Sequence, residues 1–293
     1  MGAANVIPGV SGGTIALITG IYPRLIQALR HACQPATLKD LLAGRWKKAW
    51  DHFDGWFLVA LGIGVVVSIL TLARLFDYLL QFHEVSTMAF FFGLVLVSIV
   101  HVGRTVPHWD LRRGTALVVG TAVAVGLAFI APAEPNAAVW YLGLCGVVAI
   151  CSMILPGLSG SFVLMLMGNY VLVIRGIKEF NMDVLIPVAV GCGIGLLGFV
   201  QILGIALKKA PHTVIALMTG FVLGSLLTIW PWKVPRVESV TVANETREVV
   251  TGYSWQFPST FDANFFLAIA LMIGGGVLLH LMQKHAQDQD NKA

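Results

Sequence analysis

The 293 residues are 57% hydrophobic and 12% charged, with a mean hydropathy of +0.82, which excludes a soluble globular domain and indicates an integral membrane protein. The formal net charge is only +4 and sits mostly between the apolar runs, so nucleic-acid binding has no support. Cys33, Cys145, Cys151 and Cys192 have neither metal-ligand nor disulfide-framework spacing and read as small core residues; the sequence implies no metal and no cofactor.

The chain opens on Pro8-Gly9-Val10-Ser11-Gly12-Gly13-Thr14, followed by an apolar run to Gly20, Ile21 and Tyr22. Proline fixes φ and lacks an N–H, so Pro-Gly starts a helix better than it continues one. Ser11 is suited to cap the helix that follows, and the glycines leave the backbone bare. The stretch reads as a break in a hydrophobic segment and then a fresh helix over Gly13 to Leu29. Its N-terminus carries N–H groups and partial positive charge that suit an anion. Too few residues precede Pro8 for a membrane-deep arm, so a truncated or late start is expected; no cleavable signal peptide is visible. From Arg30 to Gly55 the chain is polar. Leu38, Leu41, Leu42, Trp46 and Trp50 fall near one face of an expected interfacial helix over 37–52.

Spans are predicted at Trp56 to Leu80, Val85 to Gly103 and Gly114 to Pro132, each near the ~20 residues of a bilayer crossing. Arg74 and Asp77, spaced i, i+3, read as a helix-surface pair. Trp140 to Ile174 is too long for one crossing and is broken by Pro156-Gly157, which predicts a hairpin that returns to its starting side. Here the opening is repeated at a constant offset, as Pro156-Gly157-Leu158-Ser159-Gly160-Ser161-Phe162 with Gly168, Asn169 and Tyr170 behind it. Further spans are predicted at Val184 to Leu207, Thr213 to Trp230 and Asp262 to Met282. The alternation at Val237, Val240, Val242, Val249 and Val250 predicts a small β-ribbon in the loop 231–261.

The duplication runs beyond the motif. Leu61-Gly62-Ile63-Gly64 matches Cys192-Gly193-Ile194-Gly195, and Phe92-Gly93-Leu94-Val95-Leu96 matches Thr219-Gly220-Phe221-Val222-Leu223. The expected fold is an all-α polytopic membrane protein of two inverted-topology repeats, 1–132 and 133–293. Each is a re-entrant broken-helix hairpin plus three transmembrane helices, and the odd number of crossings inverts the second repeat. Lys and Arg placement does not separate re-entrant from fully crossing hairpins, whereas the length and mid-segment break of the second copy favour re-entrance. Either way, 30–55 and 104–113 are cytoplasmic.

Two opposed half-helices then hold an anion between their N-termini. Ser11, Gly12, Gly13 and Thr14 act from one repeat, and Ser159, Gly160 and Ser161 from the other. The plainer alternative is that Pro-Gly-x-Ser-Gly kinks two helices for close packing; duplication in an inverted frame favours a site. The stretch Gly2 to Thr14, with Gly20-Ile21-Tyr22, resembles the opening signature of the bacterial polyprenyl-phosphate transporter family. The second motif and Phe91-Phe92-Gly93-Leu94 resemble it too, so the likeness spans nearly the whole chain. It implies return of undecaprenyl phosphate, the lipid carrier of cell-wall precursors, from the outer to the inner leaflet of the bacterial cytoplasmic membrane.

The family often carries an acid where this chain has Asn5, a departure that removes a proton carrier from that position. Asn5, Tyr22 and Tyr170 join the expected substrate contacts. Arg24 and Arg175 lie beyond the motifs, placed either to meet the head group on entry or to snorkel to the interface. His83, Glu84 and His212, at corresponding turns, are candidates for a coupled proton or cation against the commoner role of solvated loop residues. The implied partners are a lipid phosphate, membrane lipids and a second copy in a homodimer. Two rivals stand beside this reading. Gly157-Leu158-Ser159-Gly160 with His280 suggests an intramembrane serine hydrolase, but the serine is duplicated without a second histidine. A small inorganic anion transporter or channel would show a narrow axial pore in place of a lipid-sized lateral opening.

Overall fold

Backbone polar groups in lipid must be satisfied within their own segment, so long apolar runs fold as helices. The computed structural model describes residues 1–2, 11–242, 245–258 and 261–290. Among these, five helices are long and apolar enough to cross a bilayer, or six if one sharply bent pair counts as a span. The architecture is that of an all-α polytopic membrane protein.

From Ser11 onward the described residues form α1 (Gly12–Ile18) and α2 (Tyr22–Ala32). The expected single helix over Gly13 to Leu29 is broken, because Gly20 takes a left-handed φ of +74° and ends the first piece. The expected helix over 37–52 is likewise two pieces, α3 (Pro35–Leu42) and α4 (Trp46–His52). Gly44 stops α3 at φ +72°, and Arg45 N–H bonds back to Asp40 C=O at 2.9 Å. Asp40 also holds Arg45 and Lys48 in ion pairs at 2.9 and 3.4 Å, which fixes the corner. Leu42 and Trp46 are exposed, whereas Trp50 folds back against Phe53 and Trp56.

The long helices follow: α5 (Gly55–Phe82), α6 (Glu84–Arg104) and α7 (Leu111–Phe129), the last capped by Asp110 accepting from Arg113 N–H at 2.9 Å. The second half holds α8 (Val139–Ile154), α9 (Gly160–Leu166), α10 (Tyr170–Glu179), α11 (Met182–Lys209), α12 (Pro211–Ser225) and α13 (Ala263–Asp290). Between α12 and α13 lies the expected ribbon, β1 (Lys233–Val242) antiparallel to β2 (Glu245–Trp255), paired from Lys233↔Trp255 to Val242↔Glu245 with a register shift between Arg236 and Val237. One residue, His83, separates α5 from α6, and one residue, Ala210, separates α11 from α12.

Three parallel helix pairs frame the described residues, each closed by glycine on both sides. A Cβ added at Gly93 would overlap Met272 C=O, and one at Gly275 would overlap Phe90 C=O, so α6 and α13 touch through backbone. Gly120 and Leu217, with Gly220 and Leu117, do the same for α7 and α12. Gly146 and Val188, with Gly191 and Gly143, do so for α8 and α11. Membrane helices have no hydrophobic drive towards one another, so small residues that admit close backbone packing hold them together. Buried Ser98 and Ser225 donate to Val95 C=O at 2.6 Å and Val222 C=O at 2.8 Å. These sit at the same offset that relates Gly93 to Gly220. A leucine at Gly93 or Gly220 is expected to part its pair and to lower the thermal midpoint of the purified protein clearly. The same change at Gly62, which has open space, should leave it within a degree or so.

At the base of the ribbon, Trp230, Trp232, Phe257 and Phe265 form an edge-packed aromatic group. Trp255 Nε1 donates to Leu227 C=O at 2.9 Å and Trp230 Nε1 to Gln256 C=O at 3.0 Å. Lys233 is held there, its ammonium donating to Thr228 C=O. Desolvation lowers its pKa from 10.5 to about 8, against the opposing pull of Glu84. The folded state thus binds fewer protons than the unfolded chain between those values, so this group makes stability rise with pH across that window. Thermal unfolding from pH 7 to 11 should show that rise in the wild type, and Lys233→Met should lose it and melt higher at pH 7. Equal pH profiles would contradict the desolvation.

Candidate functional site

Ser11 has extended backbone (φ −104°, ψ 136°), and its hydroxyl accepts from Gly13 N–H at 3.2 Å, capping α1 as expected. Its carbonyl accepts from Thr14 N–H at 3.0 Å. Ser11 and Thr14 are 4% and 3% exposed, and Gly12 and Gly13 are buried with them. Asn5, Pro8 and Gly9 lie outside the described residues.

In the second copy, α8 stops at Ile154 and the chain turns through Gly157 at φ +83°. A Cβ there would also lie 2.6 Å from the Phe221 backbone of α12, so both conformation and space require glycine. Beyond the turn, α9 doubles back along α8. Gly160 faces Ala149 C=O, and Tyr141 near the start of α8 donates its hydroxyl to Met167 C=O at 3.0 Å. Fully buried Asn169 accepts from Asn136 N–H at 2.9 Å and donates to Asn136 C=O at 2.8 Å. Both ends of the hairpin therefore lie close together, and α10 then leaves at 113° to α9. Ser159 stands where a cap is expected and does not cap. Its hydroxyl pairs with that of Ser161 at 2.9 Å, a partner absent from the first copy, which has Gly13 there.

The two motifs touch. Thr14 Oγ1 accepts from Gly157 N–H at 2.8 Å in a buried hydrogen bond. Gly13 is in close contact with Ile154 C=O and Pro156 N, where an added Cβ would lie 3.0 and 3.4 Å away. Tyr22, 1% exposed, donates to Ile154 C=O at 3.1 Å. The backbone groups released where α8 breaks are thus met by side chains from the other end of the chain. Next to this junction is a narrow gap lined by Thr14, Leu17, Ser98, Val102, Thr219 and Val222. Ser98 and Thr219 were not singled out in the sequence; a lone hydroxyl inside an apolar run is the signal that marks them.

Other expected contacts lie elsewhere. Arg24 pairs with Asp54 at 2.6 Å and lies 4.3 Å over the Phe57 ring, and this guanidinium holds the Asp54 carboxyl below its usual range. Arg175 lies 3.9 Å from Glu179 on the same helix. Tyr170 is 39% exposed, unlike its sequence counterpart Tyr22. Among the described residues, the expected Arg74–Asp77 ion pair is not formed, and Nδ1 of His212 is buried without a partner. The hydrolase reading needs Ser159 bonded to a histidine; its partner is Ser161, and His280 lines a separate cavity with His101.

Residues 1–249 match the family model described as undecaprenyl phosphate translocase-like. The chain belongs to that family. It is 37% identical over 291 residues to a polyprenyl-phosphate transporter of Vibrio cholerae, covering 98% of this chain and 94% of that one. A polyprenyl-phosphate transporter of Staphylococcus aureus is 31% identical over 251 residues, covering 79% and 83%. No solved structure matches. These relatives are named transporters and not enzymes, and with its apolar helices this family member is a multi-pass bacterial membrane protein.

Thr14→Val leaves the buried Gly157 N–H without an acceptor, which costs about 1–3 kcal/mol. Thermal unfolding in detergent should show a clear drop for Thr14→Val and a smaller one for Tyr22→Phe. An unchanged midpoint in Thr14→Val would show that the two motifs do not depend on this bond.

Proposed function

We propose that the chain translocates undecaprenyl phosphate from the outer to the inner leaflet of the cytoplasmic membrane, its phosphate held between residues 11–14 and 157–161. The observation that carries this reading is the Thr14–Gly157 hydrogen bond, which brings two sequence-distant copies of one motif into contact. A lipid phosphate needs several convergent donors in a cleft open sideways to lipid. In the closed arrangement Gly157 N–H is taken by Thr14 Oγ1 and Gly13 N–H by Ser11 Oγ; when the motifs part, the phosphate oxygens take over those N–H and hydroxyl groups. Family membership and two relatives named polyprenyl-phosphate transporters supply the substrate class.

Two inverted repeats, 1–132 and 133–293, are part of the proposal. Supporting them are the reciprocal glycine contacts of the α6–α13 and α7–α12 pairs, and the paired serines Ser98 and Ser225 at the matching offset. The doubled-back α8–α9 segment supports a re-entrant hairpin. Opening then proceeds by one repeat rocking against the other about the motif contact.

Flipping of labelled polyprenyl phosphate in proteoliposomes tests the site. Ser11→Ala, Ser159→Ala and Ser161→Ala should each weaken lipid binding about tenfold to a hundredfold, since each removes one hydrogen bond to a charged group. Gly160→Leu and Ser159→Asp should abolish transport, the first by blocking the backbone and the second by repelling the phosphate. Undiminished flipping in Ser159→Asp, or loss confined to Ser159→Ala, would remove the shared phosphate site.

A further inference from the structure

A cavity of about 290 Å³ opens between the last turn of α6 and the later part of α13, lined by His101, Arg104, Thr105, His280, Gln283 and Lys284. Two permanent cations and two imidazoles converge on it, and no carboxylate is among the described lining residues. Arg104 at the C-terminus of α6 is ordinary, since it offsets the helix dipole. That rule does not account for two imidazoles facing the same space. An anion with several oxygens satisfies all of these at once, and the volume suits a head group and not a prenyl chain.

The cavity also has a defined relation to the motif contact. Val102 lines the narrow gap beside Thr14, and its neighbour His101 lines this cavity, so one stretch of α6 borders both. Arg112 and Arg113 follow in the first turn of α7, beyond the short loop after α6, in a basic segment of the kind that faces the cytoplasm.

We propose that this cavity is a second phosphate-binding site, receiving the phosphate monoester on the cytoplasmic side. As a landing site for the transported head group it rests on the function proposed above; as a phosphate site it does not. The chemistry fits a prenyl phosphate head group or free inorganic phosphate, and the test separates them.

The full chain in phosphatidylcholine nanodiscs, with 15N-labelled histidine, reports ring signals assigned through His101→Gln and His280→Gln. Farnesyl phosphate should shift both rings saturably, and farnesol should not. Arg104→Gln/Lys284→Gln should weaken the response about tenfold to a hundredfold, as loss of charged hydrogen bonds requires. A response to farnesyl phosphate alone assigns the lipid head group, and an equal response to inorganic phosphate assigns the free anion. Rings unmoved by either probe, or moved equally in the double variant, overturn the site. Gly160→Leu, which disables the motif site, should leave the ring response intact. Its disappearance there would overturn a separate cavity site, whereas flipping that survives Gly160→Leu would instead remove the motif reading.

Discussion

The buried hydrogen bond from Gly157 N–H to Thr14 Oγ1 is the contact on which the central packing turns. A helix broken inside an apolar segment exposes carbonyls on one side of the break and N–H groups on the other, and lipid satisfies neither. Here both are met from the first motif. Tyr22 takes the carbonyl of Ile154, the last residue of α8, and Thr14 takes the amide of Gly157 at the turn beyond it. With those partners in place the turn at Gly157 can pack against Phe221, and Leu158 joins Ala124 and Phe221 in a small core. The hairpin, the α7–α12 pair and the first motif thus close on one another.

The two motifs are not equivalent within that contact. The first is capped and buried, its serine and first-turn amides already engaged. The second keeps its serine pair turned to each other, with Ser161 exposed. Tyr22 is buried in the junction while Tyr170 faces outward. In the proposed transport cycle the second motif therefore meets the phosphate first, and the first motif engages only after the Thr14–Gly157 bond yields. A single such bond is worth about 0.5–1.5 kcal/mol net, small enough for a charged ligand to displace.

Much of this architecture was legible in the sequence because breaks in apolar runs are written in glycine and proline. Pro156-Gly157 gave the hairpin its turn, and the alternating valines gave the ribbon its strands. Gly44 carried a stop signal that the apolar spacing of Leu38 to Trp50 masked, and Gly20 did the same for the first helix. What stayed hidden depends on distant partners. Arg24 suits either a head-group contact or snorkelling to the interface, yet Asp54 pairs with it, and no local pattern announces that pairing. Ser159 was read as a cap by analogy with Ser11. The neighbouring hydroxyl of Ser161 decided otherwise, because a side chain two residues away competes with the backbone amide for the same oxygen. The contact between Thr14 and Gly157 was implied by the duplicated motif, but its atoms were not.

Locating the phosphate is the most direct test of a site shared by both motifs. A cryo-electron microscopy reconstruction of the full chain with undecaprenyl phosphate is expected to show phosphate density within hydrogen-bonding distance of both 11–14 and 157–161. The Thr14–Gly157 bond should be open in that state. Density that touches one motif alone with the bond still closed, or that lies only on a lipid-facing surface, would contradict the shared site.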